Sequence, residues 1–169
     1  MIRLATSTDL PALQEIEVAA GAPFRDIGMS AIADDPPPTI ADLEKFLGPA
    51  HIWVATGDDD RPIAYALMEV VDAAAHIEQV SVHPDHARRG LGARLIDEIG
   101  NWANGHQLPA LTLTTFADVP WNAPYYERLG FRRLADSDLT PGLVRIRERE
   151  AQHGLDAWPR VTMRRPVAT

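Results

Sequence analysis

Read in chain order, the sequence predicts one α/β (α+β) domain over residues 1–169. Its core is a mostly antiparallel, twisted mixed sheet of about seven strands, flanked by helices. Three observations carry this. The runs HIWVAT (51–56), IAYALMEVV (63–71) and IEQVSV (77–82) are rich in β-formers and separated by short turns, which reads as a meander. After Gly90-Leu91-Gly92, apolar residues recur at Leu91, Leu95, Ile99 and Trp102, widened by Ile96 and Ala103, the spacing of an amphipathic helix. A chain of 169 residues that is 46% hydrophobic and 24% charged has the size and composition to fill one core.

The elements follow in order. Residues 1–5 read as an edge strand and about 8–20 as a helix, capped by Thr8 or Asp9, with Pro11 in its first turn and Gly21 at its end. Leu10, Leu13 and Ile16 turn towards the sheet. The stretch AGAPFRDIGMSAIADDPPPT (20–39) is a loop or short helix, long enough to suggest a functional segment. Thr39 caps a short helix through Phe46 and Leu47, stopped by Gly48-Pro49. The meander turns at GDDDRP and at Asp72. After the long helix, ALTLTT (110–115) is the fifth strand, PYYERL a short helix and FRRLAD (131–136) a strand. TPGLVRIREREAQHGL (140–155) is a helix with Leu143, Ile146 and Glu150 along one side. RVTMRRPV (160–167) alternates apolar and basic residues, a last strand whose arginines lie on an exposed face.

Composition excludes several classes. Without cysteine there is no thiol nucleophile, disulfide or thiolate metal site. His83 and His86 flank a proline in a turn with no third ligand on a regular element, so no dedicated metal site is expected. There is no Gly-x-Ser-x-Gly elbow for a serine hydrolase. A net charge of −8 argues against a nucleic-acid surface. No run of eighteen apolar residues spans a membrane, and MIRLATSTDL has no apolar secretory core, so a cytoplasmic protein is expected.

The stretch AHIEQVSVHPDHARRGLGARL (75–95) organises the rest: buried strand, polar turn, two arginines, two glycines, helix start. That order builds an anion site. The first helical amides lack intrahelical partners, the helix dipole adds positive charge, and Gly90 and Gly92 let an anion approach the backbone. Arg88 and Arg89 add full charges. The pattern is neither a Walker loop nor a dinucleotide fingerprint.

HPDHARRGLGARL resembles the acyl-CoA pyrophosphate loop of the GNAT superfamily of N-acetyltransferases, whose pattern is Gln/Arg-x-x-Gly-x-Gly/Ala. Gly90 and Gly92 fit it, and Ala87 stands at the Gln/Arg place. WNAPYYERLGF (121–131) is similar to the family's late asparagine-to-tyrosine-to-Gly-Phe segment. The resemblance implies one N-acetyltransferase domain over 1–169, with acetyl-CoA as cosubstrate and no metal. It implies cofactor contacts from Arg88, Arg89 and the backbone of Gly90, Leu91, Gly92 and Ala93. The strand Val80-Ser81-Val82 would offer main-chain groups to the pantetheine arm, its valine side chains being ordinary core. Asn122 either caps the following helix or bonds the pantetheine. The family's acceptor pocket corresponds here to Phe24 and Arg25, the latter also readable as a surface arginine.

Acetyl transfer to an amine needs a group to take the amine's proton, because an alkyl amine resembles lysine, with a pKa of about 10.4. By strand parity Glu78 shares a face with Val80 and Val82, where desolvation would raise its carboxyl towards a working base. The alternative for Glu78 is a carboxylate satisfied by an arginine or at the solvent end of the sheet. His76, on the same face, and Glu69, on the adjacent strand, are its substitutes at the substrate side. Tyr126 lies four residues before Gly130, as the family's tyrosine does. Its hydroxyl, with a pKa of about 10, would serve as acid to the departing thiolate.

These readings converge on direct acetyl transfer in a ternary complex, with a small-molecule amine as acceptor. A peptide or protein amino group is the in-class alternative, and an acyl-CoA-binding sensor without chemistry is the rival class. The helix 141–154 is open to two uses, closing over the acceptor or making a homodimer contact.

Overall fold

A computed structural model of the chain describes residues 1–48 and 51–168. The strands are β1 (Ile2–Leu4), β2 (His51–Thr56), β3 (Pro62–Val71), β4 (Ala74–Val82), β5 (Ala110–Phe116), β6 (Arg132–Arg133) and β7 (Arg160–Pro166). The helices are α1 (Leu10–Gly21), α2 (Ser30–Ala33), α3 (Ile40–Lys45), α4 (Leu91–Gly105), α5 (Ala123–Arg128) and α6 (Pro141–Gln152). The seven strands form one sheet in the order β1-β2-β3-β4-β5-β7-β6. β1 with β2, β2 with β3, β5 with β7 and β6 with β7 are antiparallel, and β4 with β5 is parallel over Ala75–Ile77. The fold class predicted from the sequence is therefore the observed one.

The chain divides into two compact units, Met1–Glu69 with Gln79–Ile99, and Val70–Glu78 with Gly100–Thr169. In the first, Leu10, Leu13 and Ile16 of α1 and Leu43 of α3 pack on Ile52, Val54, Tyr65 and Leu67 of β2 and β3. The helix caps divide the expectations. Thr39 caps α3 as expected, its Oγ1 accepting from the Asp42 amide at 3.1 Å while the Asp42 carboxylate accepts from the Thr39 amide. Of the expected stop at Gly48-Pro49, Pro49 lies outside the described residues. At α1 neither Thr8 nor Asp9 caps forward. A 3₁₀ turn over Ser7–Asp9 precedes the helix, and the Asp9 carboxylate accepts backwards from the Thr6 amide at 2.8 Å. The same carboxylate takes both arms of the Arg3 guanidinium, at 2.7 and 3.1 Å, which holds it below the usual carboxylate range.

In the second unit the turn between β3 and β4 carries Asp72 and Ala73, both with positive φ (49° and 60°), the backbone that two-residue hairpin turns demand. Asp72 Oδ2 accepts from the amide of Gly142 at 2.6 Å, so a residue seventy positions away satisfies an orphan donor at the start of α6. Leu143 and Ile146 of α6 are buried as expected, and Glu150 pairs with Arg160 of β7 at 3.0 Å. Arg160 corrects the expectation of an exposed arginine face on β7: its side chain is only 8% exposed and lies 4.5 Å from the centre of the Phe116 ring. β6 is shorter than the predicted strand 131–136, because the chain turns into a 3₁₀ segment at Asp136–Asp138.

Candidate functional site

In the first unit β4 runs out at Val82 and a 3₁₀ turn, Pro84–His86, leads into the basic loop. Arg88 and Gly90 both adopt positive φ (63° and 73°), a conformation that costs an L-residue such as arginine about 1 kcal/mol or more. The first intrahelical bond of α4 runs from the Arg94 amide to the Gly90 carbonyl at 3.0 Å. The amides of Leu91, Gly92 and Ala93 thus precede the helical ladder. Arg88 and Arg89 are exposed, and neither pairs with a carboxylate among the described residues; Arg89 reaches only His86 Nδ1, at 3.3 Å. Two guanidiniums without a carboxylate partner among the described residues, beside amides that precede the helical ladder, make a local cationic site in a chain of net charge −8, where an anion would be held.

The neighbouring strand differs from its expected packing. Val80 and Val82 are half-buried rather than core, and Ser81 between them is the buried residue. The Ser81 hydroxyl donates to Glu17 Oε2 at 2.6 Å, so it is committed to α1 and the strand's offer to a ligand there is main-chain. Tyr65 donates to the same oxygen at 2.6 Å, and Gln79 Nε2 donates to both Glu17 oxygens at 3.2 and 3.3 Å. Burial and then the Glu17 charge push the Tyr65 hydroxyl well above its usual pKa, so it stays a donor. This network went unseen in the sequence. Its members lie on α1, β3 and β4, forty-eight to sixty-four residues from Glu17, beyond the reach of any local pattern.

Elsewhere in the first unit, Phe24 is half-buried in a 3₁₀ run, Ala22–Ile27. Arg25 is exposed and ion-paired with Asp34, which favours its surface reading. Glu69 is half-buried near the end of β3.

In the second unit His76, expected at the substrate side, lies within the sheet. It is 1% exposed and its Nδ1 lies 2.8 Å from Thr112 Oγ1, so the ring is enclosed between strands. Its Nε2 faces Glu78 Oε1 at 4.0 Å. Glu78 keeps 28% of its side-chain exposure, so it sits at a polar margin beside an imidazole rather than sealed in an apolar row. Tyr126 is 8% exposed, its ring edge-on to Tyr125 and Phe131 at 5.4 and 5.9 Å. Its hydroxyl makes no hydrogen bond among the described residues. Burial, with a smaller contribution from Tyr125, raises its pKa well above the usual tyrosine value. Asn122 precedes α5, and its side chain does not cap that helix; its Oδ1 is buried without a hydrogen-bond partner. Of its two sequence readings, the cap is removed.

Among the described residues no group of three or more His, Asp or Glu could hold a metal ion, and no helix is long and apolar enough to cross a membrane.

The model of the acetyltransferase (GNAT) family matches residues 14–131. A peptidyl-lysine N-acetyltransferase of Salmonella typhimurium is 26% identical over 103 residues, 59% of this chain and 65% of that protein, just under two thirds of its length. An S-(2-succino)cysteine N-acetyltransferase of Bacillus subtilis is 26% identical over 165 residues, 90% of this chain and 97% of that one. Among solved structures, the PaiA N-acetyltransferase of Thermoplasma acidophilum in complex with coenzyme A superposes with a TM-score of 0.69 at 14% identity, covering 98% of both chains.

Proposed function

The chain belongs to the acetyltransferase (GNAT) family, which makes it an acetyl-CoA-dependent acyltransferase, and on that premise we propose that it acetylates a primary amine of a small molecule by direct transfer in a ternary complex. On this reading residues 1–169 work as one transferase domain. The observation that carries it is the loop 83–93, where positive-φ backbone, amides ahead of the helical ladder and two arginines with no carboxylate partner among the described residues coincide. Arg88 and Arg89, with the amides of Gly90, Leu91, Gly92 and Ala93, would hold the diphosphate of acetyl-CoA. Main-chain groups of Val80, Ser81 and Val82 would pair with the amide chain of its pantetheine arm, and the partnerless Asn122 Oδ1 favours a donor on the same arm. The bound thioester supplies the activated acetyl group.

The protein's own part is proton management and exclusion of water. Tyr126 keeps its proton throughout the neutral range, because burial disfavours the phenolate, and its uncommitted hydroxyl is available as a donor to a developing thiolate. Glu78 is the proposed acceptor of the amine's proton, directly or through water. Its partial exposure suits that exchange with solvent, and His76, locked to Thr112, lies beside it. Phe24 and Glu69 are proposed to face the acceptor. The small-molecule acceptor is favoured by the Bacillus relative, which matches nearly its full length. A peptide amino group is the competing acceptor, on the Salmonella relative.

The test is release of free thiol from acetyl-CoA across a panel of small amines and lysine peptides. The protein has no cysteine, so any thiol signal is released CoA. Tyr126→Phe should lower turnover by about a hundredfold or more while leaving the Kd for CoA unchanged. Tight CoA binding with no amine-dependent release by wild type would favour the sensor reading, and absence of CoA binding would refute both.

A further inference from the structure

β6 and β7 carry five arginines; Arg160 pairs with Glu150, and the other four divide by face. Arg133 donates to Glu127 Oε1 and the Ala117 carbonyl, both at 3.1 Å, and Arg165 donates to the Leu129 carbonyl at 3.3 Å. Arg132 and Arg164 are different. They stand directly opposite one another in the antiparallel register, and neither makes an ion pair or side-chain hydrogen bond among the described residues. Like charges facing across a strand pair repel, so this arrangement costs stability unless something negative lies between them. It occurs in a chain with 24 acidic residues against 16 Lys and Arg, where carboxylate partners are abundant.

Both arginines line a cavity of about 480 Å³ in the second unit. That volume lies within the roughly 300–1,000 Å³ of small-molecule pockets. Leu134 and Leu143 supply apolar wall. Two carboxylates also line it: Asp72 is committed to the Gly142 amide, and Asp138 pairs with neither arginine. We propose that this cavity is a binding site for a phosphate-bearing small molecule, its phosphate clamped between Arg132 and Arg164 and its apolar body against Leu134 and Leu143. Two guanidinium forks match the charge of a phosphate monoester, about −1.5 to −2 near pH 7, and the geometry of its oxygens. None of these residues is among those assigned to acetyl transfer.

The experiment is thermal unfolding of the full chain with inorganic phosphate, set against chloride and succinate at matched ionic strength. A phosphate-specific rise of about 5–10 °C at hundredfold excess over Kd is expected. It should persist in the Arg88→Gln/Arg89→Gln double variant, which removes the other basic site. It should vanish in Arg132→Gln and in Arg164→Gln, which in chloride alone should unfold at or above the wild-type midpoint because the repulsion is gone. Methyl NMR of wild type gives a readout that needs no variant, with Leu134 and Leu143 shifting on phosphate addition. The proposal is overturned if chloride or succinate matches phosphate, if the rise survives in both Arg132 and Arg164 variants, if it is lost only at Arg88 and Arg89, or if the two leucines do not move.

Discussion

Glu17 illustrates what one residue can organise. A single carboxylate on α1 takes hydroxyl donors from β3 and β4 at 2.6 Å each, together with the Gln79 amide. Truncation to alanine would strand the Tyr65 hydroxyl, on a side chain with no exposure, and the Ser81 hydroxyl, at 4%. Leaving two buried donors unsatisfied costs about 2–4 kcal/mol in total. Glu17→Ala should therefore lower the urea midpoint without changing the m-value, and Glu17→Gln, which keeps an acceptor oxygen, should lose less. At the same scale Asn122 shows why a motif position needs coordinates. Its place before a helix allows a cap or a pantetheine bond from sequence, yet its Oδ1 bonds nothing described and only its backbone carbonyl serves α5, accepting from the Tyr126 amide at 3.0 Å.

At the scale of elements, α6 is held at both ends by partners distant in sequence. Its start is closed by Asp72, and its last turn by Glu150, which meets Arg147, Arg160 and Thr114. Gly142 is required where Asp72 meets the helix. A Cβ there would lie 2.6 Å from Asp72 Oδ2 and 2.6 Å from Val71 Cγ1, closer than atoms tolerate. Gly142→Ala, ordinarily favourable in a helix, should instead destabilise by about 1–3 kcal/mol, read as a lowered Tm. A rise in Tm would show that the helix start is free to move away from the turn. The periodicity of α6 was legible in the sequence, as Leu143, Ile146 and Glu150 attest. The Asp72 contact was not, because no local pattern pairs a hairpin turn with a helix seventy residues later.

For the whole molecule, three carboxyls tie stability to pH. Asp9 is held low by the hydrogen-bonded Arg3, with burial opposing, and Asp72 by the neighbouring Thr140 hydroxyl and by the bond from the Gly142 amide. For Glu150 burial favours protonation, but the Arg160 charge and bonds from Thr114, Arg147 and Arg160 outweigh it and hold the pKa below the usual range. A carboxyl whose folded pKa is depressed contributes stability that is complete above its unfolded pKa, about 4, and is lost as pH falls through the lower folded value. Thermal midpoints should therefore be flat in these groups from about pH 7 to 5 and fall steeply below about pH 4. Glu150→Gln should start lower at pH 7 and show a shallower acid limb. An acid limb identical to wild type would show that Glu150 does not carry the linkage.

Local sequence determined the fold class, the order of strands and helices, and the loop from Val82 to Ala93, because hydrophobic period, turn chemistry and glycine placement act between residues a few positions apart. Tertiary structure alone decided which polar groups find partners and which do not: Arg160 buried on Glu150, His76 enclosed against Thr112, Ser81 committed to Glu17, Arg132 facing Arg164. Those outcomes depend on strand register and on which helix covers which face, long-range pairings that no window of the sequence contains.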